Sequence, residues 1–383
     1  MADLILSNAH IVLPDRELDG SVVVENGRIS DISPRKYAAG LDLHGVLLVP
    51  GVIDVHTDYL EREISPRPSA QFPVEMALHV MDLRALGCGL TTVLSAARIS
   101  EEKEGTVGSW HGDGLELARQ YESLAPQMRA RHLIHVRWDT NFPSADGALK
   151  ELLQLKSIGN LVYNDSTPGE RQYRRDIETI IQRRAERQGV SLAEARAEIE
   201  ARRDRAKQTN NRHQVRAALG GRLPIGSHDD TTLEHVVEAH EAGATLCEMP
   251  CTIEAARKAR ELGMMICMGA PNYFRGGSHC GNLSCHDALA ENLVDILCSD
   301  YHFPSLLAAA IRMMRSGIPI SQAMSYLALN PARHLGKEKE LGSIEVGKRA
   351  DLVAFHPRQD HADVVRVWVD GDLRFSVLDS ALN

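Results

Sequence analysis

Eight short apolar runs, near 52–58, 90–95, 132–138, 160–165, 223–228, 244–248, 264–269 and 294–299, alternate with segments of longer, helical period. This alternation constrains the fold more than any other feature, because a strand repeats every two residues and a helix every 3.6, so each run declares its own type. Repeated strand–helix units bury their apolar faces as a parallel sheet wrapped by helices. Eight such units over roughly 290 residues suit an α/β chain closed into a (β/α)8 barrel of the TIM type. An open, doubly wound sheet would share the alternation, but no Gly-x-Gly-x-x-Gly loop follows the first strand.

Both ends of the chain read differently. Residues 1–50 hold short runs at 4–7, 11–13, 22–25 and 46–49, with turn signals at Asp19-Gly20 and Asn26-Gly27. The last segment repeats this style at 352–355, 364–369 and 373–377, with Asp370-Gly371 as a hairpin turn. A small β-sandwich domain built from 1–50 and 342–383 is therefore expected, flanking a barrel over 51–341. Within the barrel, 170–219 is rich in Arg, Glu, Ala and Gln and lacks a strand. It is expected to form an insertion of two helices, the second capped by Ser191 through Ser191-Leu192-Ala193-Glu194. Its arginines either meet an anion or, the reading favoured here, line a solvated helix face.

Composition narrows the setting. A net charge of -9 argues against nonspecific nucleic-acid binding, and no apolar run is long enough to span a bilayer. The first residues, Met-Ala-Asp-Leu-Ile-Leu-Ser, read as a strand and not as a signal peptide, so the cytoplasm is the expected compartment. Cys247, Cys267 and Cys298 fall in apolar runs, as reduced core thiols do, and no second close pair completes a four-cysteine zinc site with Cys280 and Cys285. Small-molecule chemistry, with room for a homo-oligomer, is what remains.

In a barrel, catalytic side chains sit where strands end at the C-terminal face. There the first strand offers His56 and Asp58, which strand alternation puts on one side, and the third offers His135, Arg137 and Asp139. The fourth offers Asp165, the fifth Ser227-His228-Asp229-Asp230, the sixth Glu248 and the eighth Ser299-Asp300. Nitrogen and oxygen donors at so many strand ends suit divalent metal ions, expected as two, with zinc first and manganese or iron as alternatives. The candidate ligands are His56, Asp58, Asp165, His228, Glu248 and Asp300, with Asp165 as the bridge; Glu248, just before Met249-Pro250, has hydrogen bonding to the next loop as its alternative. Asp300 and His228 are the catalytic candidates, Asp300 as proton acceptor.

A second group has the chemistry of anion binding. The loop 269–279 carries Arg275, Gly276, Gly277, Ser278 and His279, whose side chains and backbone N–H groups suit phosphate or carboxylate. Arg67, in Ser65-Pro66-Arg67-Pro68, is a further donor. Arg137 lies among apolar neighbours and needs an anionic partner, either a substrate or Asp139. Together these predict a phosphorylated small molecule as the partner.

These motifs resemble the amidohydrolase superfamily over nearly the whole length. The resemblance rests on Pro50-Gly51-x-Ile53-Asp54-x-His56, on the strand-five histidine and strand-eight aspartate, and on Gly342-Ser343-Ile344-Glu345-x-Gly347-Lys348-x-Ala350-Asp351-Leu352-Val353. Most members carry His-x-His on the first strand, where this chain has His56-Thr57-Asp58. With Ser65-Pro66-Arg67-Pro68, Ser227-His228-Asp229-Asp230, Met268-Gly269-Ala270-Pro271-Asn272, Arg275-Gly276-Gly277-Ser278-His279 and Ser299-Asp300-Tyr301, that departure resembles a narrower family. Its members are diphosphatases of the bacterial carbon–phosphorus lyase pathway that act on α-D-ribose 1-methylphosphonate 5-triphosphate. The resemblance implies release of pyrophosphate from the 5-triphosphate by a metal-activated water; the superfamily's commoner chemistry, at a cyclic amide or aminopurine, is the alternative. Tyr59 stands where the narrower resemblance leads to asparagine, and 71–86 keeps Asp82 but otherwise matches poorly. Both departures are expected near the substrate mouth.

Overall fold

In a computed structural model of the chain, residues 3–67, 70–100, 113–141, 145–165, 167–171, 174 and 177–377 are described. Eight parallel strands follow one another in space as in sequence. They are Val52–Thr57, Leu90–Ile99, Arg131–Asp139, Ile158–Asn164, Ile225–His228, Leu246–Glu248, Met265–Gly269 and Ile296–Cys298, each close to its expected place. The first and last meet at a parallel bridge between Thr57 and Asp300, where Asp58 N–H donates to Asp300 O (2.7 Å) and Asp300 N–H to His56 O (3.1 Å). The sheet is thus a barrel, and its lower interior is filled by Ile53, Val55, Leu246, Cys267, Ile296, Cys298, Ala332 and Leu341.

That filling exposes a flaw in the alternation argument for His56. Ile53 and Val55 pack inside the barrel with Leu246, so strict alternation would turn His56 outward. A bulge intervenes: Asp54 pairs with Val93 and Thr57 with Ser95, so three steps on the first strand face two on the second. The extra residue returns His56 to the interior. Asp58 lies beyond the strand, at the N-cap of a short helix, Tyr59–Ile64.

The two chain ends form one sheet of eight strands around Leu6, Ile11, Val22, Ile29, Leu48, Leu352 and Trp368. Leu47–Pro50 runs antiparallel to Leu352–Pro357 and joins the ends. Asn26-Gly27 and Asp370-Gly371 are the expected hairpin turns, with positive φ at all four residues (51°, 71°, 53° and 80°). Asp19-Gly20 is no turn but lies inside the strand Glu17–Glu25, and the runs at 4–7 and 11–13 are one strand, Leu4–Val12. Glycine is required at 20 because a Cβ there would sit 2.1 Å from the Ser33 carbonyl oxygen.

Among the described residues the insertion holds three helices, not two: Ile177–Gln188, Leu192–Gln208 and Arg212–Leu219. The first two pack through Ile181, Ala185, Ala195 and Ile199. Ser191 forms the expected capping box, accepting from Glu194 N–H (3.2 Å) while Glu194 accepts from Ser191 N–H (2.9 Å). Arg196 and Arg205 are on a solvated face as expected, whereas Arg171 and Arg212 are buried. No helix among the described residues is long and apolar enough to cross a membrane.

Candidate metal centre and active site

Four strand ends converge on one buried carboxylate. Glu248, fully buried, has Oε1 at 3.1 Å from His56 Nδ1 and Oε2 at 3.5 Å from His135 Nε2 and 3.8 Å from His228 Nε2. The His56 ring centroid lies 4.5 Å from that of His135 and 5.4 Å from that of His228. His56 also faces outward chemistry, its Nε2 3.5 Å from Asp58 Oδ1. Two overlapping groups of ligating atoms result, His56–His228–Glu248 and His56–Asp58–Asp300, each with its atoms within 4.8 Å of one another.

The geometry of these contacts fits a metal better than a set of hydrogen bonds. His56 Nδ1, His135 Nε2, His228 Nδ1 and both Glu248 oxygens are buried without an aligned hydrogen-bond partner, although oppositely charged atoms stand close. Buried polar atoms left unpaired cost roughly 1–3 kcal/mol each, so a cluster of them calls for a ligand. His135 donates Nδ1–H to Val55 O (3.0 Å), which presents Nε2 to the cluster, the usual way a metal-binding imidazole is oriented.

Charge is distributed to match. Burial opposes protonation of His56, but the nearby carboxylates of Glu248 and Asp58 raise its pKa well above the ordinary value. Burial likewise opposes ionisation of Glu248, but His56 holds it below the usual carboxylate range. Asp58 is also held low against burial, by His56, Arg137 and His228. Asp300 moves the other way: burial and the nearby Asp58 charge push it up to about 6. Burial lowers His135 to about 3, so its imidazole is neutral and able to ligate.

Backbone strain gathers at the same rim. Asp229 and Met249, just after strands five and six, and Asp300, two residues after strand eight, all have left-handed backbones, with φ of 58°, 52° and 55°. Each N–H still bonds the next strand, Asp229 to Glu248 O and Met249 to Cys267 O among them. For a side chain like that of Met249 this conformation costs on the order of 1 kcal/mol.

The other expected residues divide. Asp165 does not join the cluster: its Oδ1 accepts from Asn141 Nδ2 (2.9 Å) and Thr167 Oγ1 (2.6 Å), and its Oδ2 faces Arg171 Nε (3.6 Å). Arg171, buried where a solvated face was expected, also donates to His228 O (3.2 Å) and Asp230 Oδ1 (2.5 Å). Asp165, expected as the bridging carboxylate, is held away from the imidazoles, and Glu248 is the carboxylate that stands among them. Arg137 reaches Asp58 (3.6 Å) and Asn164 (3.2 Å), while Asp139 takes Arg98 (3.5 Å) and the Asn141 N–H (3.0 Å).

The glycine-bearing segment is a helix, Ala270–Arg275, started by Pro271 and closed by left-handed Gly276. Gly276 N–H bonds Tyr273 O and Gly277 N–H bonds Asn272 O (2.9 Å), so these amides end the helix and are not free for an anion. Ser278 Oγ accepts from Cys280 N–H (3.2 Å). Arg275 and His279 stay exposed at the mouth beside Tyr301. Arg67 is exposed, its carbonyl taking the Ala70 N–H, and no contact ties it to the cluster among the described residues; Pro68 falls outside them.

Tyr59 stacks on buried Phe303 (centroids 4.0 Å apart, planes at 5°), joining the segments after strands one and eight. Asp82 is not at the mouth at all. It bonds Ala130 N–H (2.9 Å) and His132 Nε2 (3.0 Å), where strand three begins. His135 was visible in sequence as a strand-end histidine, but without the fold nothing distinguished it from His132.

Comparison with known proteins agrees with this geometry. The amidohydrolase family model matches residues 47–375, and the chain belongs to that family. Within it, the chain is 32% identical over 381 residues to the α-D-ribose 1-methylphosphonate 5-triphosphate diphosphatase of Escherichia coli, covering 96% of this chain and 99% of that one. It is 25% identical to the imidazolonepropionase of Symbiobacterium thermophilum, over 87% of this chain and 83% of that one. A crystallised amidohydrolase shares the fold with a TM-score of 0.65 at 16% identity, over 98% and 100% of the two chains.

Proposed function

We propose that this amidohydrolase is a metal-dependent diphosphatase converting α-D-ribose 1-methylphosphonate 5-triphosphate to the 5-phosphate and pyrophosphate. The observation that carries the reading is end-to-end similarity to the Escherichia coli diphosphatase, in a chain whose carboxylate–imidazole cluster opens beside exposed arginines. His56, His135, His228 and Glu248 would hold one divalent ion, and His56, Asp58 and Asp300 a second. Zinc fits these nitrogen and oxygen donors, as do manganese and iron.

A metal held by these residues would lower the pKa of a water towards roughly 7 and supply positive charge to the phosphoryl group. Asp300 takes the proton as water oxygen adds to phosphorus. The bridging P–O bond breaks, and its electron pair leaves on the pyrophosphate oxygen. Arg137, anchored by Asp58 and Asn164, presents its guanidinium to the charge that develops. A phosphorylated small molecule is the partner, and the cytoplasm the proposed setting.

The same cluster could attack an amide carbon, as the likeness to an imidazolonepropionase suggests. Phosphorus NMR of the metal-loaded protein with the ribose triphosphate, beside a panel of cyclic amides and aminopurines, separates the two. Pyrophosphate and the 5-phosphate appearing together is the expected result. Turnover of a cyclic amide with no phosphorus product would overturn the proposal.

A further inference from the structure

Two guanidinium groups and an imidazole at the mouth surround one ring, and none of them has an acidic partner among the described residues. Arg62 lies over the Tyr301 ring at 5.4 Å and donates to Tyr301 O (3.5 Å). Arg275 donates to Tyr301 Oη (3.4 Å), and the His279 ring meets the Tyr301 ring edge-on at 5.9 Å. Among the described residues neither guanidinium forms an ion pair, whereas other surface arginines of this chain, Arg84, Arg257 and Arg358, are paired with Glu63, Glu291 and Asp363.

The placement is specific. Tyr301 follows Asp300 directly, and Arg62 belongs to the helix Tyr59–Ile64 that starts just after Asp58. Arg275 ends the helix that starts at the tip of strand seven. The donors therefore follow strands seven and one and Tyr301 follows strand eight between them, three neighbours in the closed barrel. On the other side of the mouth, Arg98 and Arg137 face Asp139 and Asp58, so that side carries less uncompensated charge.

We infer that Arg62, Arg275 and His279, gathered by Tyr301, form a subsite for the terminal two phosphoryl groups of a polyphosphate, the end that departs as pyrophosphate. The inference rests on the diphosphatase reading for the identity of the substrate. Unpaired like charges held together repel until an anion neutralises them, and guanidinium groups match phosphate oxygens with paired hydrogen bonds. The terminal diphosphoryl end carries more charge than the phosphonate end, which suits the side whose arginines are uncompensated.

The test is calorimetric titration of the metal-loaded full chain with inorganic pyrophosphate and, separately, methylphosphonate. In the double variant Arg62→Gln, Arg275→Gln, pyrophosphate affinity should fall about 10- to 100-fold while methylphosphonate affinity changes by less than about 2-fold. Arg62→Lys with Arg275→Lys should recover part of the loss, since a point charge replaces the planar fork. Unchanged pyrophosphate affinity, or an equal fall for both anions, would overturn the subsite. Loss of pyrophosphate affinity in a protein whose wild type releases none by phosphorus NMR would support the subsite and reject the reaction.

Discussion

Two buried clusters in this barrel are made of the same groups and behave oppositely. Near the start of strand three, Asp82 accepts from Ala130 N–H (2.9 Å) and Arg129 N–H (3.2 Å) and bonds His132 (3.0 Å). His132 in turn meets Tyr121 Oη (3.1 Å), which donates to Ser95 Oγ (3.2 Å). At the other end of the barrel, Glu248 stands among three imidazoles with neither oxygen in an aligned hydrogen bond. A buried carboxylate beside a histidine is therefore not in itself a site. It becomes one when its polar atoms are left unmatched by the protein, because a fully paired network has nothing to offer a ligand.

The largest test of this contrast is Glu248→Gln. Activity should fall by about 10⁴-fold or more as bound metal is lost, with the stability of the metal-free protein changing by less than about 1 kcal/mol. Retained metal, read by elemental analysis, would break the comparison. Asp300→Asn should lower kcat by about 10²–10⁴-fold, and full activity in a variant that keeps its metals would remove Asp300 as the base.

Asp82→Asn should do the reverse of Glu248→Gln. Removing one partner of a buried pair costs about 3 kcal/mol, visible in denaturant unfolding, while kcat stays within about 3-fold. Loss of activity in the folded variant would mean that the two clusters communicate. Restoring a divalent metal to stripped protein at about 100 times its Kd should add about 2.7 kcal/mol to stability in wild type and in Asp82→Asn, but nothing in Glu248→Gln.

The smallest expected effect is in acid. Burial opposes ionisation of Asp82, yet His132 and the Ala130 N–H hold its carboxyl below its ordinary 3.8. A depressed pKa contributes stability above the unfolded value, and that contribution is lost as pH falls through the folded one. Wild type should therefore lose more stability than Asp82→Asn on going below about pH 4, and parallel acid profiles would show Asp82 to be unpaired.

Much of the architecture was legible before any fold was in view. The eight strands, the hairpin turns at Asn26-Gly27 and Asp370-Gly371 and the Ser191 capping box were each set by residues within a few positions, through side-chain period, positive φ or a local hydrogen bond. His56, Asp58, His228, Glu248 and Asp300 could be named because barrel strands end at one face.

What that reading missed depends on distant neighbours. Gly20 looked like a turn, but the carbonyl of Ser33 on the next strand makes it a close-packing position. Asp165 had the right place on its strand and was drawn away by Asn141, Thr167 and Arg171. His56 has the right residue type, yet faces the cluster only because a bulge against the second strand reverses its side. Sequence alone determined which elements form and which polar groups end them. Only the tertiary structure decided which of those groups find protein partners and which are left open to a ligand, because that depends on atoms brought together from strands far apart in the chain.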